Sequence, residues 1–166
     1  APSLVGSEMC IRDRGSFDPI TLGHIDIVLE TVKLFDKVVI GIGDNNSKNQ
    51  LFNKKERIKF INSIFSKNKN IIIESYSGLT IDFCKEINAK FIVRGIRDIY
   101  DFEYEKKIST INKKIKNDVT TLFFFPKLEH SSISSSLVKE IIKNGGDLDM
   151  FLHSEVIKLV DQIYKV

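Results

Sequence analysis

Helical and strand-like periods alternate along this chain. Ile25, Val28, Leu29, Val32 and Phe35 recur at 3.6-residue spacing, so an amphipathic helix is predicted over 23–35. Residues 37–43 are a β-branched run ending in Gly-Ile-Gly, which reads as a buried strand turning into a loop. Asn53 followed by Glu56 forms a capping box and opens a helix with Ile58, Ile61, Ile64 and Phe65 on its inner side. Beyond it the pattern predicts strands over 71–75, 90–94 and 119–125, the last stopped by Pro126. Between and after them it predicts helices over 81–87, 101–114, 136–143 (ended by Gly145-Gly146) and 154–164. No linker, internal repeat or biased segment divides the chain. Strand and helix in this rhythm imply a parallel sheet covered on both faces, and such sheets bind ligands beyond the carboxyl ends of their strands. The segments of interest are therefore 15–24, 43–52, 75–80, 94–97 and 126–136.

Composition narrows the class. The 166 residues amount to one domain, and a hydrophobic share of 42% is enough for a core without disulfide or metal. No apolar run reaches the roughly 18–20 residues of a membrane span, and the first fourteen residues contain no continuous apolar stretch behind a basic flank. With two cysteines far apart, Cys10 and Cys84, the expected location is the reducing cytoplasm, with no membrane partner. A net charge of +3 spread along the chain favours small anions weakly and argues against a nucleic-acid partner. Only 5 of the 25 basic residues are Arg, so each guanidinium invites a question, and Arg94 and Arg97 lie three apart directly after an apolar run.

Several residues could carry chemistry. In Gly15-Ser16-Phe17-Asp18-Pro19-Ile20-Thr21-Leu22-Gly23-His24, two glycines permit close backbone approach and Pro19 stiffens the turn. His24 falls in the first turn of the predicted helix, where the dipole and unpaired N–H groups favour an anion and the ring can donate to a phosphate oxygen. The simpler reading is a loop with a surface histidine. Arg94 ends a buried strand, so its head emerges at the carboxyl edge of the sheet. Ser134, Ser135 and Ser136 precede a helix, where they serve as N-caps, as a phosphate cradle, or as both. Lys48 reads equally as a loop lysine in solvent, and Tyr104 and Glu105 as outward-facing helix residues. Cys84 reads as a small buried hydrophobe beside Leu79, Ile81 and Phe83.

The string G-S-F-D-P followed by T-x-G-H resembles the nucleotidyltransferase superfamily that shares a nucleotide-binding motif with class I aminoacyl-tRNA synthetases. Arg94-Gly95-Ile96-Arg97, then Asp101-Phe102-Glu103-Tyr104-Glu105, and finally Ile133-Ser134-Ser135-Ser136-Leu137 narrow the resemblance to bacterial phosphopantetheine adenylyltransferases. The resemblance implies a Rossmann-like single α/β domain, with a five-stranded parallel sheet and helices on both faces. It implies transfer of AMP from ATP to 4′-phosphopantetheine, giving dephospho-coenzyme A and pyrophosphate in coenzyme A biosynthesis. Direct attack by the acceptor phosphate needs no protein nucleophile, only positioning and charge neutralisation. On this resemblance His24, Lys48 and Arg97 are catalytic. Ser16, Phe17, His24, Gly95, Ile96, Arg97, Glu105, His130, Ser131, Ser132, Ile133, Ser134, Ser135 and Ser136 bind ATP. The acceptor is bound by Ser16, Lys48, Thr80 and Arg94. Mg²⁺ arrives on the triphosphate, since neutralising it requires a cation and no ligand cluster is evident. A homohexamer is implied, with dephospho-coenzyme A and coenzyme A as further ligands. His130 stands where an aromatic is common in that family and Ser132 where a bulkier residue is usual.

The first fourteen residues are set apart, because the resemblance begins abruptly at Gly15. Arg12, Asp13 and Arg14 would place three charges in a central strand, a costly burial. Residues 1–14 are expected to be a non-native or misassembled end, with the adenylyltransferase domain over 15–166. If they are genuine, residues 9–14 must form the first strand. The rival functions are another superfamily activity (a nicotinamide-mononucleotide adenylyltransferase or a cytidylyltransferase) and a non-catalytic nucleotide-binding module. The Arg94/Arg97 pair and the serine run speak against the first two.

Overall fold

Residues 4–11, 17–44, 49–116 and 118–164 are described by a computed structural model. Strands β1 (Leu4–Ile11), β2 (Phe35–Gly43), β3 (Ile71–Tyr76), β4 (Phe91–Gly95) and β5 (Thr120–Phe124) pair side by side in the order β3-β2-β1-β4-β5. Every neighbouring pair is parallel. Helices α1 (Leu22–Val32), α2 (Lys54–Phe65), α3 (Thr80–Glu86), α4 (Ile99–Ile115), α5 (Ser135–Lys143) and α6 (Ser154–Tyr164) supply the connections and the end of the chain. No helix among the described residues is long and apolar enough to cross a membrane.

The two-residue period of a strand divides the core. Val38, Ile40 and Ile42 of β2 join the larger cluster with α1, α2, α5 and α6, including Val28, Phe60, Val138 and Val156. Val39 between them joins a smaller cluster with Cys10, Ile92 and the α3 side chains Ile81, Phe83 and Cys84. Gly41 is needed on that second face. A Cβ there would lie 3.0 Å from Phe83 Cε1 and 3.2 Å from Cys10 Sγ and Tyr76 Cε1. Its absence lets the Tyr76 and Phe83 rings stack against the sheet, 4.4 Å apart at 9°.

Two expectations are corrected. The helix expected to run to Phe35 stops at Val32, and Phe35 instead opens β2. Near its end Thr31 Oγ1 donates to the Ile27 carbonyl at 2.7 Å, the kind of side-chain bond that competes with helix. Phe35 is buried because its ring meets Phe91 at 5.4 Å, so it matched the helical period for an unrelated reason. The first strand begins at Leu4, ahead of the expected 9–14, and is described as far as Ile11. That register sets Met9, Cys10 and Ile11 between apolar stretches of β2 and β4. Arg12, Asp13 and Arg14 lie outside the described residues.

Candidate active site

The strand order reverses direction at β1, between β2 and β4, and ligands of such sheets collect at that crevice. The turn leading into α1 lies there. Phe17 adopts φ 59°, a left-handed backbone that costs about 1–3 kcal/mol for a residue other than glycine. Its ring is buried and meets the His24 ring edge-on at 5.1 Å, which anchors the strained residue. Thr21 is the N-cap of α1, and His24 completes a capping box with it. The Thr21 backbone N–H donates to His24 Nδ1 at 3.0 Å. In the neutral ring this assigns the proton to Nε2, so the fold presets the tautomer in which Nε2 is the donor. A donor at the positive end of a helix suits a phosphate oxygen.

Three segments converge on Asp18. Its buried carboxylate accepts from the backbone N–H groups of Leu51 at 3.0 Å and Phe52 at 2.9 Å, and from Lys139 Nζ on α5 at 3.3 Å. Lys139 also donates to the Asn49 carbonyl at 3.0 Å. Ser135 Oγ, at the start of α5, donates to the Pro19 carbonyl at 3.0 Å. Arg57 on α2 is buried, which pushes its pKa down, while the negative charges of Asp18 and Asp44 oppose that shift. The turn before α1, the segment after β2 and the start of α5 thus form one unit. Asp18→Ala is expected to destabilise the chain by about 2–6 kcal/mol, because two N–H groups lose their acceptor at about 1–3 kcal/mol each. A fall in the urea midpoint with an unchanged slope would register it; a wild-type midpoint would count against Asp18 as an organiser.

The arginine pair after β4 is matched by a carboxylate pair on α4. Arg94 Nε donates to Glu105 Oε2 at 2.8 Å, with both side chains almost fully buried. Arg97 donates through Nε to Asp101 Oδ2 at 2.8 Å and through Nη2 to Oδ1 at 3.1 Å. Asp101 and Glu105 are one helical turn apart, so they lie on one face and reach both arginines. They are the only residues of α4 that are buried among those described. Between the arginines, Ile96 enters the core, and a Cβ on Gly95 would come 3.2 Å from Ile27 Cγ1 of α1. Each letter of R-G-I-R and both outer letters of D-F-E-Y-E therefore have a partner.

The serine segment closes the site from the side of β5. Ser134 is the N-cap of α5 and accepts from the Leu137 N–H at 3.1 Å. The Ile133 side chain is buried, and its carbonyl accepts from Arg97 Nη1 at 3.3 Å. The Ser131 hydroxyl donates to the Leu128 carbonyl of its own 3-10 turn at 2.7 Å. His130 is held by Asp26 of α1, whose Oδ2 lies 2.6 Å from its Nδ1 and also accepts from the Lys127 N–H at 3.0 Å. On the other side of the sheet Thr80 opens α3, its hydroxyl 3.1 Å from that of Tyr76.

The structure thus gathers Phe17, His24, Gly95, Ile96, Arg97, His130, Ile133, Ser134 and Ser135 around α1 and its neighbours. Arg94 and Glu105 are joined to each other beside them. Ser16 and Lys48 lie outside the described residues; Ser132 follows the 3-10 turn and Ser136 lies in the first turn of α5. Sequence reading missed Asp18, Asp26 and Asp101. Asp18 stands inside the G-S-F-D-P string, but its partners Leu51, Phe52 and Lys139 are far along the chain. Asp101 meets Arg97 at i,i+4 spacing, a signal that the local pattern did offer. A separate cleft of ≈ 680 Å³ runs beside β2 and β3, lined by Lys37, Glu74, Tyr76 and Glu86 among others.

Comparison with known proteins bears on the family and the fold. The cytidylyltransferase-like family model matches residues 14–141. A phosphopantetheine adenylyltransferase from Lachnoclostridium phytofermentans is 42% identical over 150 residues, which cover 90% of this chain and 92% of that protein. A crystal structure from Vibrio parahaemolyticus, described as a candidate nicotinate-nucleotide adenylyltransferase, superposes with a TM-score of 0.71 over 94% of this chain and 93% of that one. At 18% identity, that likeness speaks for the fold alone. Motifs, fold and sequence kinship therefore meet in one place: the chain belongs to the cytidylyltransferase-like family and, within it, to the phosphopantetheine adenylyltransferases.

Proposed function

We propose that this chain transfers the adenylyl group of ATP to 4′-phosphopantetheine, releasing pyrophosphate and dephospho-coenzyme A. An oxygen of the acceptor phosphate attacks the α-phosphorus as the bond from that phosphorus to the bridging oxygen of pyrophosphate breaks. The protein supplies no nucleophile; it aligns two anions and neutralises the charge that develops. What supports this reading is a histidine donor on α1, two guanidiniums after β4 and the N-terminus of α5, with Arg97 tied to the Ile133 carbonyl ahead of α5 and Ser135 of α5 tied to the Pro19 carbonyl ahead of α1. Such an assembly has donors for two phosphorylated molecules and no nucleophile–base pair.

In this reading His24 donates from Nε2 to the α-phosphate, with Phe17 and Ser16 contacting the nucleotide through the preceding turn. Arg97, Gly95, Ile96 and residues 130–136 take the rest of ATP. Arg94 takes the acceptor phosphate, held in place by Glu105, while Lys48 bridges the two phosphates and Thr80 meets the pantetheine arm. Mg²⁺ enters on the triphosphate oxygens. Among the described residues no group of three or more His, Cys, Asp or Glu is placed to hold a metal ion. The expected unit of 15–166 leaves out β1, the middle strand of the sheet, so the unit doing this takes in residues 4–11 as well.

A homohexamer belongs to the same proposal. Along α4, Ile99, Tyr100, Ile111 and Ile115 are exposed, an apolar surface that a second copy would cover. Light scattering on the purified chain tests this, and a monomer at micromolar concentration would overturn it.

The activity is tested by following pyrophosphate with Mg²⁺, ATP and each acceptor in turn. Release with 4′-phosphopantetheine and not with nicotinamide mononucleotide is the expected result. The reverse preference would transfer the chain to the rival activity. Tight ATP binding with no release from any acceptor would make it a binding module.

A further inference from the structure

We propose that Asp101 is a positioning residue, acting through Arg97 to set the grip on the ATP triphosphate. The inference rests on the adenylyl-transfer reading only in taking Arg97 to meet that group. Arginine at a strand end is long and rotatable, and freezing it upon ligand binding costs entropy. Here the freezing precedes the ligand. Asp101 Oδ2 accepts both the Nε–H at 2.8 Å and the backbone N–H of Arg97 at 3.1 Å, while Oδ1 accepts from Nη2 at 3.1 Å. That side-on fork fixes the guanidinium plane, and the bond from Nη1 to the Ile133 carbonyl at 3.3 Å fixes it again from the opposite side.

Asp101 is itself held. It is buried in the first turn of α4, and its N–H donates at 2.8 Å to Oδ1 of Asp98, the N-cap of that helix. The chain of contacts runs from the cap of α4 through Asp101 and Arg97 to Ile133, one residue ahead of the cap of α5. It therefore sets the Arg97 guanidinium at a fixed place relative to the N–H groups of α5. A carboxylate this close to a triphosphate would repel it were its charge not matched by the guanidinium. The pair thus trades net attraction for oriented donors, the arrangement that matters most when charge moves during reaction.

The test is a double-mutant cycle of Asp101→Asn and Arg97→Ala in the full chain. Asp101→Asn alone keeps the size of the side chain and removes its charge and one acceptor. It is expected to lower kcat/KM for ATP about 10- to 100-fold, with the acceptor KM within about twofold. In the Arg97→Ala background the same change should cost no more than about threefold, because nothing is left for it to position. If the losses multiply, Asp101 has a general structural role and the proposal is overturned. Where Asp101→Asn melts early, Asp101→Glu takes its place, retaining the charge and shifting it by one methylene; a wild-type kcat/KM for that variant would also overturn the proposal. The cycle is read as well on the Kd for Mg·ATP. Failure of the wild type to release pyrophosphate would then strike the activity alone, while coupling in Kd still decides the role of Asp101.

Discussion

Replacing His24 with alanine is expected to lower kcat by about 10²–10³ while ATP affinity stays within a few fold. The reason is the position of the donor. The Thr21 N–H occupies Nδ1, so Nε2 carries the proton, and its bond strengthens as charge builds on the α-phosphate oxygens. The same ring also completes the cap of α1, so His24→Ala should cost about 1 kcal/mol of stability, an effect to be separated from chemistry. His24→Gln makes that separation. A glutamine at this position can rebuild the capping box but has no imidazole, so it should restore the melting temperature and leave turnover low. Parallel losses in ATP binding and turnover would show that His24 is a ground-state contact and nothing more.

The second large effect concerns the buried pair of Arg94 and Glu105. Removing one partner leaves the other charged in a dry place, so Glu105→Ala should destabilise the chain by about 3–5 kcal/mol. Arg94→Ala would suffer similarly, which hides any effect on the acceptor. Replacing both by apolar residues, Arg94→Met with Glu105→Leu, should recover most of the stability, because the cost of desolvating the pair vanishes along with its attraction. The double variant should still have an acceptor KM raised about 10- to 150-fold, the worth of one charge-assisted bond to phosphate at about 1.5–3 kcal/mol. Denaturant curves report the first quantity and steady-state kinetics the second. A stable double variant with the wild-type acceptor KM would remove Arg94 from the acceptor site.

Much of this architecture is legible without coordinates. The capping box of Asn53 and Glu56 forms as its spacing predicts, with the Asn53 N–H donating to Glu56 at 2.8 Å. Ser134 caps α5, and His24 sits in the first turn of α1. These features succeed because all their partners lie within a turn or two along the chain. Phe35 shows the opposite case. Its spacing suited a helix, yet a ring on β4 determines where it is buried. Glu105 is a subtler one: by itself a glutamate on a helix reads as facing outward, and only packing reveals that it is buried against Arg94.

The sequence by itself determined the alternation of elements, the segments at the rim and the residue types offered there, since the two-residue and 3.6-residue periods are properties of short stretches. Tertiary structure alone decided how three of the acids are spent: Asp18 on Leu51, Phe52 and Lys139, Asp26 on His130 and Lys127, and Glu105 on Arg94. Asp26 and His130 are 104 residues apart, and Asp18 and Lys139 are 121 apart. A carboxylate has the same local signature whichever cation it will meet, so its partner is chosen only when the sheet brings distant loops to one edge.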